Sequence, residues 1–201
     1  MTDKNVSIMN IGSMGYLPQV FKKIENEKKL NIVYLGGSIT MGCNATKTEL
    51  RYVDRSAKWW QTNFPDAEIS YFNAGIGATT SQFGVARVQE HVLDKQPDLV
   101  FVEFSVNDSS SPLFMETYES LVRRLLKAES VKAVVLINNL FYDTGTNAQG
   151  IHNAIGLHYD LPIVSVRNYI FPEIQLGNVC LADYTADMLH PTDLGHKMIA
   201  D

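Results

Sequence analysis

The sequence predicts a three-layer α/β fold in which helices cover both faces of a five-stranded parallel sheet. Two observations lead to this prediction. Short runs rich in β-branched residues alternate with longer amphipathic stretches along the chain, and this alternation is typical of βαβ units. Two of the short runs, residues 99–104 and 131–138, are almost continuously apolar, as strands are when both faces of their sheet are covered.

The strands and the main helices are predicted to alternate along the whole chain. No internal repeat or linker-like tract interrupts them, so residues 1–201 are expected to form a single domain. The architecture is that of a doubly wound, flavodoxin-like sheet, whose ligands bind beyond the carboxyl ends of the strands. The strands are expected at residues 31–35, 69–72, 99–104, 131–138 and 161–166, and the helices at 19–29, 49–64, 81–95, 115–128 and 147–159.

The composition argues against several classes of function. A net charge of −5 without any basic block disfavours nucleic acid and anionic membranes as partners. Cys43 and Cys180 form no metal-binding or disulfide pattern, so we expect neither a metal nor another cofactor. No signal peptide and no membrane span are visible, which favours a cytoplasmic location. The last residues resemble a helix that has only begun, and we expect the natural chain to continue past Asp201.

A glycine-rich turn after the first predicted strand holds the first group that could do chemistry. The turn has the sequence Gly36-Gly37-Ser38-Ile39-Thr40, and its glycines allow the backbone to approach a ligand closely. A serine here lies where the amides of a following helix could stabilise a developing oxyanion. A plain turn explains the same residues, whereas a phosphate-binding loop would need a lysine that is absent.

Later segments add polar groups at the same predicted edge of the sheet. Residues 73–80 follow the second strand, and residues 103–108 end the third, where the Asn107 amide could donate to an oxyanion or cap a helix. Asp187 and His190, three apart, could lie on one side of a helical turn, with the histidine as a general base. A surface ion pair is the alternative for these two residues.

Taken in order, these four segments resemble the sequence blocks of the SGNH, or GDSL-type, hydrolase family. The resemblance runs from residue 30 to residue 196. Two departures stand out, because Gly37 replaces the usual aspartate of the first block and Ser105 replaces the usual glycine of the third. The matching segments are residues 36–40 for the Gly-Asp-Ser block, 73–87 for the glycine block, 103–108 for the Gly-x-Asn-Asp block and 187–191 for the Asp-x-x-His block.

The resemblance implies a role for each residue that carries it. Ser38 would be the nucleophile, His190 the general base and Asp187 the residue that orients the base. The oxyanion would be held by the Ser38 amide, the Asn107 side chain and one amide of the glycine block. An ungapped alignment puts that last amide at Ala78, which is suitable if φ stays negative there. A positive φ at this position would favour Gly77 instead.

The resemblance also implies a substrate class. We expect a serine esterase that hydrolyses small acyl esters, acetyl esters in particular, on carbohydrates. A lysophospholipase- or thioesterase-like acyl hydrolase and a non-catalytic carbohydrate-binding module are the alternatives. Aromatic side chains often line sugar sites, but Trp59 and Trp60 at adjacent helix positions more often mean that one of the two packs in the core. Glu103 is expected to be a buried carboxylate that supports a loop, and His196 a packing or capping residue.

Overall fold

The computed structural model describes residues 3–12 and 16–201 and confirms the α/β class. Six strands form one sheet in the order β1-β6-β5-β4-β2-β3, and every neighbouring pair is parallel except β1 with β6. The strands are β1 (Ile8–Asn10), β2 (Lys29–Gly36), β3 (Glu68–Gly75), β4 (Leu99–Glu103), β5 (Ala133–Asn138) and β6 (Ile163–Ser165).

The five-strand prediction is therefore one strand short. The missing strand is β1, which pairs antiparallel with β6 at the edge of the sheet. Its three residues are too few to show an alternation of apolar and polar side chains. The five parallel strands are the predicted ones, with ends shifted by up to three residues.

Nine α-helices occur in the described residues, including the five predicted ones. They are α1 (Leu17–Glu27), α2 (Ser38–Met41), α3 (Tyr52–Asn63), α4 (Ser81–His91), α5 (Pro112–Leu126), α6 (Gln149–His158), α7 (Val166–Gln175), α8 (Leu181–Tyr184) and α9 (Asp193–Ala200). Short 3₁₀ turns lie at Lys4–Ser7, Thr48–Leu50 and Leu93–Lys95. None of the helices in this part of the chain has the length and apolarity to cross a bilayer.

Alternating side chains of the central strands divide the core into two layers. In β2, Ile32 and Tyr34 belong to one buried cluster, and Val33 and Leu35 belong to the other. Helices α1, α3 and α7 contribute to the first cluster, whereas α4, α5 and α6 contribute to the second. The sheet is thus covered on both faces, as the apolar runs predict.

Sheet topology determines where the polar loops meet. The chain crosses from β2 to β3 on one side and then returns to β4 on the other, so the winding direction reverses at β2. Ligands of doubly wound sheets bind at such a switch point. Gly36, the last residue of β2, is in register with Gly75 on β3 and with Glu103 on β4. The three loops that follow these residues therefore start side by side.

Candidate active site

Ser38 opens the four-residue helix α2 immediately beyond the end of β2. The residue is buried, with 8% of its surface exposed. The turn below it is tightly packed, because a Cβ on Gly36 would lie 2.1 Å from Thr40 Oγ1 and 2.6 Å from the Glu103 carbonyl oxygen. Only glycine fits there, and this lets α2 fold directly onto the strand end, which presents Ser38 at the rim of the sheet.

The structure brings Ser38, His190 and Asp187 together in one hydrogen-bonded chain. His190 Nε2 lies 2.9 Å from Ser38 Oγ, and His190 Nδ1 lies 2.6 Å from Asp187 Oδ2. Each ring nitrogen of His190 therefore has one polar partner, and the two partners differ in kind. A carboxylate on Nδ1 leaves the lone pair of Nε2 facing the serine hydroxyl.

The loop that carries Asp187 and His190 is not the helical turn expected from their spacing. Residues 186–190 form a bend, closed by a bridge between Thr185 and Pro191. Asp187 Oδ1 accepts hydrogen bonds from the backbone amides of Leu189 at 3.1 Å and His190 at 2.7 Å. Met188 takes a left-handed conformation with φ 67°. The aspartate thus organises its own loop, and α9 begins only after Thr192, which caps it.

Asp187 remains ionised over the whole useful pH range. Partial burial raises its pKa, but hydrogen bonds from the His190 side chain and from the backbone amides of His190 and Leu189 outweigh that effect and lower the pKa to about 2. Since the folded-state pKa is depressed, the stability it contributes is present above its ordinary pKa of 3.8 and is lost as the pH falls through about 2.

Asn107 lies against the residue that precedes the nucleophile. A Cβ on Gly37 would come within 2.4 Å of Asn107 Oδ1 and 3.1 Å of its Cγ. The glycine that replaces the usual aspartate of the first block therefore makes room for Asn107 in this conformation. The helix-capping alternative applies to its neighbour, because Asp108 Oδ1 accepts from the Ser81 amide at the start of α4 at 2.9 Å.

The glycine block departs from one expectation. Ala78 has φ 57°, so the condition that φ stays negative there is not met. By that criterion Gly77 becomes the better candidate for the second amide. A Cβ placed on Gly77 would lie 3.9 Å from Ser38 Cβ and 3.5 Å from Met41 Cε, so this residue borders the nucleophile directly.

The left-handed conformation of Ala78 leads to a prediction about stability. Ala78→Gly should increase the free energy of unfolding by about 1 kcal/mol, because glycine adopts positive φ without the Cβ clash that alanine has. Denaturant unfolding measures this difference. The matched control is Ala86→Gly on the exposed face of α4, which should lower stability by a similar amount. A loss of stability for both variants would contradict the assignment of strain to Ala78.

Glu103 is the buried carboxylate that the sequence predicts. It is fully buried at the end of β4, and Ser105 Oγ donates to its Oε1 at 3.4 Å. Ser105 also donates to the Asn139 carbonyl at 3.2 Å, so the serine that replaces the usual glycine links two strand ends. Burial raises the pKa of Glu103 to about 7, although interactions with Asn139 and Ser105 oppose the rise.

This raised pKa predicts a pH-dependent stability. The fold favours protonated Glu103, so its contribution is complete below the ordinary pKa of 4.5 and is lost as the pH rises through about 7. Between these values the free energy of unfolding should fall by about 3 kcal/mol. Glu103→Gln should flatten this decline, whereas exposed Glu129→Gln should leave it unchanged. Equal pH profiles for both variants and the wild type would contradict the prediction.

Two buried residues support the site, and the sequence predicts a role for only the second of them. Arg87, buried on α4, donates from Nη2 to the Gly36 carbonyl at 3.1 Å, and burial lowers its pKa to about 10. His196, also buried, accepts from the Tyr52 amide and contacts the Cys43 carbonyl at 3.0 Å, which agrees with the predicted packing role. The sequence signal for Arg87 is its position, because it is a charged residue among the apolar positions of the α4 segment.

The described ranges contain no group of three or more His, Cys, Asp or Glu side chains placed to hold a metal ion. Ser38, His190 and Asp187 form the hydrogen-bonded chain at this edge of the sheet. A doubly wound α/β fold with this constellation at its switch point defines a serine hydrolase. The chain belongs to the GDSL-like lipase/acylhydrolase family, whose sequence model matches residues 34–198. This match confirms the predicted family, and the chain is accordingly an ester-hydrolysing enzyme.

An acetylxylan esterase is similar to this chain in sequence and in fold. The acetylxylan esterase of Geobacillus stearothermophilus is 25% identical in an alignment 207 positions long, which covers 89% of this chain and 93% of that protein. A crystal structure of a catalytic mutant of acetylxylan esterase from the same organism has a TM-score of 0.69 at 21% identity, over 85% of this chain and 90% of that one, and shows the shared fold.

A two-domain esterase active on acetylated mannans, crystallised with mannopentaose, is considerably more similar in sequence. It is 46% identical to this chain with a TM-score of 0.97. The match covers 100% of this chain and 54% of that protein, so the present chain spans about half of its length.

Proposed function

We propose that this chain is an acetyl esterase that removes acetyl groups from carbohydrates, with Ser38 as nucleophile, His190 as general base and Asp187 as the residue that orients the base. The observation that carries the proposal is the contact of 2.9 Å between His190 Nε2 and Ser38 Oγ, continued by the contact of 2.6 Å to Asp187. The substrate class is supported by the relatives, which include an acetylxylan esterase and an esterase active on acetylated mannans.

The first half of the reaction forms an acetyl-enzyme. Ser38 Oγ attacks the carbonyl carbon of the acetyl ester while its proton passes to His190 Nε2, and the Asp187 carboxylate stabilises the imidazolium. The carbonyl oxygen becomes an oxyanion, which we assign to the Ser38 amide, the Asn107 side chain and the amide of Gly77 or Ala78. The intermediate collapses when the C–O bond to the sugar breaks and His190 returns the proton to the sugar oxygen.

The second half releases acetate. A water molecule gives one proton to His190 Nε2 and attacks the acetyl carbonyl, and the same donors hold the second oxyanion. The bond to Ser38 Oγ then breaks, and His190 returns its proton to the serine. Asp187 stays ionised throughout, which agrees with its lowered pKa.

Asn107→Ala tests the assignment of the oxyanion donors. We expect kcat to fall roughly 100- to 1,000-fold, or about 3–4 kcal/mol in the barrier, with a small change in KM, because the lost bond forms mainly in the transition state. Initial rates on p-nitrophenyl acetate measure it, and Asn63→Ala, an exposed asparagine on α3, is the control. An unchanged kcat would remove Asn107 from the oxyanion site.

The substrate class is tested with the purified chain. Acetate release should be measured from acetylated manno- and xylo-oligosaccharides, and hydrolysis rates from p-nitrophenyl esters of increasing acyl length. We expect acetate release from the glycans and a decline in rate from acetyl to longer acyl groups. A preference for long acyl chains would favour the lysophospholipase- or thioesterase-like alternative. Glycan binding without any hydrolysis would favour the binding module.

A further inference from the structure

Asp108 joins two loops that carry proposed oxyanion donors, the Asn107 turn and the glycine block. The third proposed donor is the amide of Ser38 itself. It directly follows Asn107, and its backbone amide bonds the Phe104 carbonyl at 2.9 Å, which closes the turn after β4. Its Oδ1 accepts from the amide of Ser81, three residues beyond Ala78, at 2.9 Å. One buried carboxylate thus ties the Asn107 turn to the start of α4, within the glycine block.

The second oxygen of this carboxylate is held by α6. His152 Nε2 lies 3.1 Å from Asp108 Oδ2, and His152 has no exposed surface. The imidazole stacks on the Tyr118 ring of α5, with centroids 3.6 Å apart and planes 8° from parallel. Burial lowers the pKa of His152, and Asp108 opposes this effect. A neutral ring with its proton on Nε2 therefore donates to the carboxylate.

The proposed reaction gives this buried pair no task. Neither side chain belongs to the chain from Ser38 through His190 to Asp187, and both are shielded from solvent. Burying a carboxylate and an imidazole costs free energy that apolar residues of similar volume would avoid. Oxyanion donors, however, must be held to within a fraction of an ångström, and a displacement of 1 Å can cost about 100-fold in rate.

We infer that His152 is a positioning residue of the proposed esterase reaction, holding Asp108 and thereby the Asn107 turn and the start of α4 in register with Ser38. The inference depends on the proposed function, because it concerns the placement of its oxyanion donors. His152 transfers no proton and does not touch the substrate. It acts only through Asp108. Its Nε2–H donates to that carboxylate, and stacking on the Tyr118 ring fixes the direction of the donor.

Two substitutions separate the hydrogen bond from the volume of the side chain. His152→Phe keeps an aromatic ring over Tyr118 but removes the donor to Asp108, so kcat should fall about 10- to 100-fold with KM changed less than about threefold. His152→Gln can place an amide donor near the former Nε2 position and should recover most of that loss. His158→Phe, an exposed histidine on the same helix, is the control and should be unchanged.

A double-mutant cycle with Asn107→Ala distinguishes positioning from general loss of structure. If His152 acts through the Asn107 turn, His152→Phe should lower kcat much less in the Asn107→Ala background than in the wild type. Equal factors in both backgrounds, or no effect in either, would overturn the inference. If His152→Phe does not fold, His152→Asn takes its place, because its shorter amide does not reach the Nε2 position.

The failure of this inference is distinguishable from the failure of the proposed function. Activity that persists in Ser38→Ala contradicts the proposed function whatever His152 does. Activity that depends on Ser38 but responds to His152→Phe equally in both backgrounds contradicts the positioning role alone.

Discussion

Replacing Ser38 with alanine should abolish ester hydrolysis while the protein remains folded. The substitution removes Oγ, the atom that lies 2.9 Å from His190 Nε2 and that would form the acetyl-enzyme bond. Loss of the nucleophile in a serine hydrolase lowers kcat by roughly a million-fold. The fold loses one hydrogen bond at a site that is 8% exposed, so the free energy of unfolding should change by about 1 kcal/mol.

Two measurements on this variant separate chemistry from stability. Hydrolysis of p-nitrophenyl acetate gives kcat, and denaturant unfolding shows whether the variant is folded. Ser110→Ala, a serine exposed after the third block, is the matched control and should keep the wild-type rate. Wild-type turnover in Ser38→Ala would exclude the proposed mechanism.

Asp187→Asn should be the next most damaging substitution, with a loss in kcat of about 10⁴-fold. An asparagine can still accept the backbone hydrogen bonds from Leu189 and His190 through its carbonyl oxygen, so the loop should keep its shape. Its amide group would then face His190 Nδ1 in place of the carboxylate oxygen that now lies 2.6 Å away. An amide donor there favours the tautomer with the proton on Nε2, which cannot accept from Ser38.

The control for this prediction is Asp183→Asn, an exposed carboxylate near Asp187 in the chain whose loss changes the net charge equally. It should leave kcat within about twofold, because it has no contact with His190. A loss of equal size in both variants would show that the overall charge, and not the orientation of His190, sets the rate.

The predictable part of the fold is the part with strong periodicity. The nearly continuous apolar runs of β4 and β5 indicate strands covered on both faces, and each lies within the predicted range. The strand β1 has three residues and gains its place only by pairing with β6, which is distant in sequence. Helix α7 is not among the predicted helices. It begins directly after β6, where Ser165 caps it, and its Pro172 interrupts the helical pattern.

The site was predictable to the extent that its geometry follows from topology. Ser38 and Asn107 follow the neighbouring strands β2 and β4. Because these strands run parallel, the two residues meet at one edge of the sheet. The shape of the Asp187 loop was not predictable from spacing, because it depends on side-chain hydrogen bonds and on the left-handed Met188. Nor was the positive φ of Ala78, since an alanine in the sequence gives no sign of that conformation.

The role of Gly37 became clear only from packing. In the sequence this residue is a departure from the Gly-Asp-Ser block, with no evident reason. In the structure Asn107 Oδ1 occupies the space that a Cβ at this position would need. The substitution in the first block and the asparagine of the third block are therefore parts of one arrangement around Ser38.

Covalent labelling with a fluorophosphonate, followed by mass spectrometry of the peptides, tests whether Ser38 is the nucleophile. Such probes react with a serine whose hydroxyl is activated by a neighbouring base. We predict one phosphonyl group per chain, on Ser38, with loss of activity in proportion to labelling and no labelling of Ser38→Ala. An enzyme that keeps its activity without being labelled, or that is labelled at another residue with loss of activity, would contradict the assignment of Ser38 as the nucleophile.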